Sequence, residues 1–173
     1  TVNSLEQNIQ NEVKTLGTNT IYVDKWDYSA GGGPDFPWWK FVNRPVPKYE
    51  ETEQIKARTP SAKFVVFRNK VVDQVEYRGS ALTNINIYGI NEDFDNIQPV
   101  EIAHGRYLSE ADVERGTNVV VIGNEIAEKL FGEAELSLEK HLDIRGKKML
   151  IIGVVKKQGK QMIGGWDFDQ SVI

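Results

Sequence analysis

The sequence contains no cysteine in its 173 residues and only two histidines, His104 and His141. Without cysteine the chain has no disulfide, no thiol nucleophile and no cysteine ligand for a metal, and either redox compartment is compatible with it. The two histidines lie far apart and lack the spacing of a zinc site. Cysteine chemistry is therefore excluded, and we interpret both histidines as surface or strand-edge residues.

A long apolar run and an excess of positive charge are also missing. No stretch approaches the roughly 18 apolar residues that cross a membrane, and the sequence starts at Thr1 without a signal-like segment. The net charge is -4, and lysine and arginine do not cluster as binding to nucleic-acid phosphates requires. We therefore expect a soluble piece, compatible with excision from a longer protein, and no nucleic-acid partner.

Four β-branched residues at positions 119–122 form the clearest structural pattern. The run is too short for a helix, which predicts a strand buried on both faces. Beyond Gly123, one helical stripe contains the apolar residues Ile126, Ala127, Leu130 and Phe131, and Gly132 follows as a helix-ending glycine. The pattern predicts a strand that leads into a short helix. Because the spaced glycines of a phosphate-binding loop are missing, we interpret Gly123 as a packing residue.

Short helices and strands are predicted on both sides of this stretch. Apolar residues spaced by three and four predict an amphipathic helix over residues 2–16. A second helix, over 48–58, is expected to turn Tyr49, Thr52 and Ile55 toward the core. Strands are predicted at residues 19–24, 62–67, 70–77, 82–90, 141–145 and 149–155, with turns at Arg78-Gly79 and Gly146-Lys147. In the strand over 82–90, Tyr88 is expected on the face that meets water.

This order of elements predicts an α+β fold with two lobes. One lobe, residues 1–79, has a helix-strand-helix-strand pattern. The other lobe, residues 80–155, is mainly β and contains the central strand and its short helix. Residues 156–173 are expected to return toward the first lobe.

Residues 26–47 mix glycine and proline with large aromatic residues, so a long loop without regular structure is predicted. Two interpretations of its aromatic residues remain open. Either they fold back and are buried as packing residues, or they form an exposed apolar patch for a partner or ligand. The contact candidates from this loop are Phe36, Trp38, Trp39 and Phe41.

Patterns typical of metal and phosphate sites are incomplete in this sequence. The segment from Asn91 starts like a calcium-binding loop, but Asn96 stands where glycine is required and Ile102 where glutamate is required. Residues 153–160 have the wrong glycine spacing for a Walker loop, and Gln161 replaces the serine or threonine that holds magnesium. No metal and no cofactor are therefore predicted.

Several motifs follow one another in the second half of the chain. They are Gly105-Arg-Tyr-Leu-Ser-Glu-Ala-Asp112, Val119-Val-Val-Ile-Gly123, Ala127 with Leu130-Phe-Gly132, residues 138–144, and Ile151-Ile-Gly-Val-Val155. Their order resembles the MacB/FtsX-type periplasmic core domain of ABC transporter permeases. The resemblance is strongest over residues 90–169 and extends to the predicted helix over 2–16 and the strand after it. Leu138-Glu-Lys140 differs from the Leu-Gly-Lys that is frequent in that family, and the loop 26–47 matches no pattern of it.

The resemblance implies an extracytoplasmic domain, periplasmic in its location, between the first two transmembrane helices of a permease subunit. Residues 1–79 would then belong to a membrane-proximal lobe. ATP hydrolysis would take place on a separate nucleotide-binding subunit or domain, an ABC ATPase, so the domain described by this sequence is not expected to be an enzyme. The implied role is efflux or mechanotransmission through contacts with a periplasmic adaptor, a lipoprotein or a peptide substrate, in a homo- or heterodimeric membrane protein. Arg106 and Tyr107 are further contact candidates.

Two other functions are compatible with the sequence. A secreted carbohydrate- or peptide-binding module would use Trp26, Trp38 and Trp39 as stacking platforms. A hydrolase would use the carboxylates Asp167 and Asp169, whose separation and burial decide whether they can act as an acid and base pair.

Overall fold

The computed structural model describes residues 38–158 and 167–173, together with Thr20, Ile21 and Val23. The α-helices in this part of the chain are α1 (Glu51–Arg58), α2 (Phe94–Ile97), α3 (Glu110–Glu114) and α4 (Asn124–Phe131). The strands are β1 (Arg68–Tyr77), β2 (Ser80–Ile90), β3 (Ile102–Gly105), β4 (Val119–Ile122), β5 (His141–Ile144), β6 (Lys147–Val155) and β7 (Ser171–Val172). Single 3-10 turns occur at Trp38–Lys40 and Glu135–Ser137. None of the described helices has the length and apolar character needed to cross a membrane.

Two hairpins turn at Arg-Gly pairs. Arg78 and Gly79, between β1 and β2, have φ angles of 48° and 85°, and Arg145 and Gly146, between β5 and β6, have φ angles of 54° and 76°. Positive φ at both central residues is the geometry of a type I′ turn, whose twist matches that of the flanking strands. The first predicted turn is confirmed, and the second lies one residue earlier than predicted.

The strands close into a ring. Their order is β3-β6-β4-β7-β2-β1-β5, and β5 also pairs with β6. The first half of β6 pairs antiparallel with β5 and its last residues pair antiparallel with β3, while β4 runs parallel to β6 on the other edge. The short strand β7 pairs parallel with β2 and antiparallel with β4. The ring closes where Glu76 of β1 lies opposite Asp143 of β5.

The central strand β4 is buried on both faces, as predicted. Val120 and Ile122 belong to one apolar cluster, which also contains Ile126 and Ala127 of α4. Val121, which points to the opposite face, belongs to a second cluster with Phe94, Val155, Phe168 and Ile173. The helix α4 ends at Phe131, and Gly132 follows it with a φ of 84°, a positive value that glycine adopts without steric strain. Its ψ of -53° differs from the left-handed helical cap that the sequence predicts.

The helix predicted over 48–58 is shorter and less amphipathic than expected. It begins at Glu51. Of the three residues expected to face the core, only Thr52 is buried, whereas Tyr49 and Ile55 are 48% and 41% exposed. The prediction for these two residues was wrong, because Tyr49 lies before the helix and the helix packs on the rest of the fold through a narrow contact.

The segment 62–67, predicted to be a strand, is not one. Its backbone is held instead by the buried side chain of Asn91, whose Oδ1 accepts a hydrogen bond from the Phe67 amide at 3.1 Å. The Asn91 Nδ2 donates to the Val65 carbonyl at 3.0 Å. A side-chain amide offers one donor and one acceptor in this geometry, so it replaces a neighbouring strand.

Tyr88 is buried, with 5% of its surface exposed, although the alternation along β2 places it on the face expected to meet water. The correction follows from the pairing of β7, which lies beside Asn86 and Ile87. This pairing brings Ser171 to the Tyr88 hydroxyl, and burial raises the pKa of Tyr88. The second face of β2 is therefore covered by the end of the chain.

Most of the N-terminal predictions concern residues outside those described, including the helix over 2–16. Thr20, Ile21 and Val23 belong to no strand, and Ile21 is 90% exposed. The described part is a mixed α/β fold dominated by its sheet, with few helices. The sheet contains β1 from the first predicted lobe and β7 from the predicted return segment, and the division into two lobes stays a prediction.

Candidate functional site

The contact candidates fall into two surfaces along the chain. Phe36 lies outside the described residues, and of Trp38 only the backbone is described, in the 3-10 turn Trp38–Lys40. Trp39 is 59% exposed, whereas Phe41 is only 7% exposed. The aromatic loop thus contains both an exposed and a buried aromatic residue, so each of the two open interpretations applies to a different side chain.

The segment 39–48 is fixed by the buried ring of Phe41. The Arg44 guanidinium lies 4.5 Å from the centre of that ring, and the Arg44 amide donates to the Phe41 carbonyl at 3.0 Å. This cation–π contact and the turn hold Arg44 over the ring. Around them, Val42 and Val46 are 46% and 63% exposed. An aromatic anchor therefore supports an outward row of apolar and cationic side chains.

Arg106 belongs to a compact polar cluster that organises the loop after β3. Its Nη1 and Nη2 donate to the two Asp112 carboxylate oxygens at 2.6 and 3.1 Å. Asp112 also accepts from the Ser109 amide at 2.9 Å and from the Ser109 hydroxyl at 2.6 Å. Ser109 caps α3, and with Asp112 it forms a reciprocal capping box. Arg106 is therefore engaged inside its own loop.

The electrostatics of this cluster follow from its hydrogen bonds. The Arg106 guanidinium, followed by the hydroxyl and amide of Ser109, holds the pKa of Asp112 well below its usual range. The same carboxylate raises the pKa of Arg106. A charged bidentate pair of this kind is stronger than a neutral hydrogen bond. The cluster stabilises the loop in one conformation, and its charges are directed at each other.

Tyr107 lies on the inner side of the same loop. Its ring packs against the second apolar cluster, and its hydroxyl is buried without a hydrogen-bond partner among the residues that the structure describes. Burial, and to a smaller extent the negative charge of Asp95, raises the pKa of Tyr107. As a contact candidate Tyr107 offers little exposed surface, and its structural contribution is the packing of its ring.

Three glycines of the motifs described above make close backbone contacts. A Cβ on Gly105 would lie 2.9 Å from Leu138 Cδ2 and 3.0 Å from the Gly153 Cα, and one on Gly153 would lie 3.1 Å from the Arg106 carbonyl carbon. A Cβ on Gly123 would lie 2.5 Å from the Asp169 carbonyl carbon. Nonbonded carbon atoms normally stay about 3.5 to 4.0 Å apart. The interpretation of Gly123 as a packing residue fits this geometry.

The carboxylates considered for hydrolysis accept backbone hydrogen bonds. Asp169 is 3% exposed, and its Oδ1 accepts from the Gln158 amide at 3.0 Å. Asp167 Oδ1 accepts from the Gln170 amide at 3.3 Å. The first bond connects the residues after β6 to the segment 167–173, and the second lies within that segment. Among the described residues no group of three or more histidine and carboxylate side chains is placed to hold a metal ion.

An open groove of about 450 Å³ lies where the ring closes, and the sequence did not indicate it. Side chains of both charges line it: Glu76, Tyr77, Arg78, His141, Asp143 and Lys148. It forms because the two Arg-Gly hairpins, distant in sequence, meet at the β1–β5 contact. The sequence showed only that the two hairpins have similar turns, and this similarity does not predict that their strands pair.

Solved structures of two ABC transporter domains have a similar architecture. The crystal structure of the extracellular domain of an ABC-type transporter, YknZ from Gram-positive bacteria, is 26% identical, with a TM-score of 0.59 over 64% of this chain and 58% of that one. The periplasmic region of MacB from Actinobacillus actinomycetemcomitans has a TM-score of 0.61 over 81% of this chain and 60% of that one. At 19% identity, this second likeness shows the fold.

Sequence relatives are permease proteins. The macrolide export ATP-binding/permease protein MacB of Neisseria gonorrhoeae is 27% identical over 165 residues, which are 90% of this chain and 22% of that protein. An ABC transporter permease of Bacillus subtilis, YvrN, is 31% identical over 143 residues, which are 83% of this chain and 34% of that protein. The chain thus spans between about a fifth and a third of these relatives.

The sequence family described as the MacB-like periplasmic core domain matches residues 1–173. This match covers the complete sequence, and it agrees with the resemblance seen in the motifs from Gly105 to Val155. The chain belongs to the MacB-like periplasmic core domain family of ABC transporter permeases.

Proposed function

We propose that this domain transmits conformational change in an ABC transporter, coupling ATP hydrolysis on a separate cytoplasmic subunit or domain to export or to mechanical signalling outside the membrane. Membership of the family, and its relatives among export permeases, support the placement of this domain in an ABC transporter. The observation that carries the mechanical part is the closed ring of strands. A ring with apolar clusters on both faces of β4 resists internal deformation, so movement at one end reaches the other.

The contact across the ring's closing point supports this argument. Glu76 lies opposite Asp143, and Arg145 forms an ion pair with Asp73 across the same two strands. The Arg145 guanidinium lowers the pKa of Asp73. The ion pair is exposed, so its own contribution to stability is small. The ring therefore closes through backbone pairing, because the opposed Glu76 and Asp143 carry charges of the same sign.

Contacts with a partner or substrate would use the outward side chains of segment 39–48, with Trp39 as the main apolar one. Arg106 and Tyr107 would contribute by shaping the loop 105–112. The proposed partners of these contacts are a periplasmic adaptor, a lipoprotein or a peptide substrate. An ABC ATPase is the proposed partner of the membrane part of the transporter, and the proposed assembly is a homo- or heterodimer in the membrane.

A disulfide across the ring's closing point tests the rigid-body part. Because the 173 residues contain no cysteine, the pair Glu76→Cys and Asp143→Cys can be introduced into a full-length, cysteine-free transporter. Directly opposed strand residues lie within reach of a disulfide. We expect oxidation to leave ATPase activity and export unchanged. Export that is lost on oxidation and restored by a reductant would show that the ring opens during transport, contrary to the proposal.

A second experiment tests the contact surface. Trp39→Ala in the full-length transporter should lower export several-fold while ATPase activity stays within about twofold, because contact energy outside the membrane is lost and the ATPase site is untouched. Leu136→Ala is the matched control, since Leu136 is also an exposed apolar residue, at 57%. Equal effects of the two variants would refute a specific role for Trp39.

A secreted carbohydrate-binding module is the second candidate function, and the exposure of Trp39 is the observation that favours it. Glycan-array binding that disappears in Trp39→Ala would support this function. Absence of binding to every glycan on the array would remove it.

A further inference from the structure

The segment 39–48 carries positive charge only. It contains Lys40, Arg44 and Lys48 and no carboxylate, in a chain whose net charge is -4. All three cationic residues are exposed. The first carboxylates after it begin at Glu50, and Glu51 is occupied in part by the Lys48 amide, which donates to its Oε2 at 2.8 Å. The local charge is thus opposite to that of the chain as a whole.

Exposed apolar side chains alternate with these cations. Trp39, Val42 and Val46 are 59%, 46% and 63% exposed. Each lies one or two positions from a cation, so no wide apolar patch forms. The Phe41 anchor and the Arg44 contact described above hold this arrangement, and two prolines, Pro45 and Pro47, restrict the backbone that follows.

We infer that segment 39–48 binds the surface of a phospholipid bilayer that carries anionic headgroups. Tryptophan is favoured at the boundary between headgroups and acyl chains, and lysine and arginine are attracted to anionic lipid at the same depth. The six outward side chains supply both parts of this interaction. The inference rests on the proposed function for the position of the domain beside a membrane. It deepens that proposal by naming lipid as what the outward side chains of segment 39–48 contact.

A lipid surface fits these side chains better than a protein partner does. A stable protein interface buries about 800 Å² on each side, with an apolar core surrounded by a polar rim. In segment 39–48 the cations interrupt the apolar side chains, so such a core is missing from the segment. A bilayer surface imposes no fixed pattern of pockets, because headgroups and acyl chains rearrange around each side chain.

Co-sedimentation with lipid vesicles tests the inference. The 173-residue chain is mixed with vesicles of phosphatidylcholine alone or with equimolar phosphatidylglycerol. We expect binding to the anionic vesicles that weakens as salt screens the charges. Replacing Lys40, Arg44 and Lys48 together by glutamine should lower the partition coefficient about a hundredfold, at about fivefold for each charge. Trp39→Ala should lower it several-fold.

Matched variants separate this surface from net charge. Arg115, Lys140 and Lys147 are also exposed, and their joint replacement by glutamine removes the same charge elsewhere. We expect this control and Leu136→Ala to bind as the unchanged chain does, with identical circular dichroism for all variants. Equal losses in both triple variants, or equal binding to neutral and anionic vesicles, would overturn the inference.

A measurement on the full-length transporter in lipid nanodiscs gives an independent check. A fluorophore at Trp39→Cys should be quenched by brominated lipid, whereas one at Leu136→Cys should not. Quenching at neither position would refute the lipid assignment. If the fluorophore at position 39 then became shielded from solvent only when an acidic protein partner was added, the surface would be assigned to that partner. Vesicle binding needs no ATP, so the two proposals can fail separately. A chain that does not bind vesicles would refute the lipid inference alone, and a transporter in which ATP hydrolysis is not coupled to export would refute the proposed function alone.

Discussion

Replacing Gly123 by alanine tests whether direct backbone contact holds the end of the chain against the central strand. A Cβ at this position would lie 2.5 Å from the Asp169 carbonyl carbon and would overlap the carbonyl oxygens of Phe168 and Asp169. All of these are main-chain atoms, so no side-chain rotation relieves the overlap. The segment 167–173 must move away from β4.

That movement breaks hydrogen bonds that can be counted. The Gly123 amide donates to the Ser171 carbonyl at 2.8 Å, and the Glu125 amide donates to the Asp169 carbonyl at 3.0 Å. Each contributes about 1 kcal/mol net, and the overlap itself costs about 1 to 3 kcal/mol. We expect Gly123→Ala to lower the free energy of unfolding by about 3 to 5 kcal/mol, a large fraction of the stability of an ordinary domain.

Urea denaturation followed by circular dichroism measures this loss, and the melting temperature should fall by roughly 6 to 20 °C. Gly89→Ala is the matched control, because Asn69 Cβ, the nearest atom to a Cβ at that strand position, is 4.0 Å away. The control should change the free energy of unfolding by less than about 0.5 kcal/mol. A loss below about 1 kcal/mol in Gly123→Ala, or equal losses in both variants, would refute the contact argument.

Two further predictions concern the loop 105–112. Tyr107→Phe removes a buried hydroxyl that has no partner among the described residues, so the free energy of unfolding should stay unchanged or rise by up to about 1 kcal/mol; a clear loss in urea denaturation contradicts this. Asp112→Asn should lower the free energy of unfolding by about 1 to 2 kcal/mol at pH 7. Because folding lowers the pKa of Asp112, this difference is complete above about pH 4. It shrinks below that pH as the carboxyl group of the unfolded chain becomes protonated, and it is lost when the native carboxylate is protonated as well. Urea denaturation of both proteins at pH 7 and at pH 3 measures the difference in their free energies of unfolding. A difference that is larger at pH 3 than at pH 7 would contradict the prediction.

Local sequence patterns predicted the elements whose conformation is decided locally. The apolar run at 119–122, the helical stripe after it and the ending glycine Gly132 lie within one short stretch, and the structure confirms the strand β4 and the helix α4. The turns at the two Arg-Gly pairs are also decided locally, because a two-residue turn with positive φ depends on its own two residues. Periodicity and turn chemistry suffice when few distant contacts compete with them.

The closure of the ring could not be predicted in this way. It depends on β1 meeting β5, with Glu76 opposite Asp143 across more than sixty intervening residues. The burial of Tyr88 depends on β7, and the segment 62–67 depends on the Asn91 side chain. Each of these outcomes is decided by a partner that is distant in sequence, and alternation or β propensity within one segment carries no information about it.

The motifs that reveal the family describe packing. Gly105, Gly123 and Gly153 are placed where another backbone comes too close for a Cβ, and the charges of Arg106 and Asp112 are directed at each other. A motif of this kind predicts the fold, since in this chain it records packing contacts, and fold alone does not specify function. What the domain contacts is encoded by side chains that the fold does not require, and among the described residues the outward side chains of segment 39–48 meet that description.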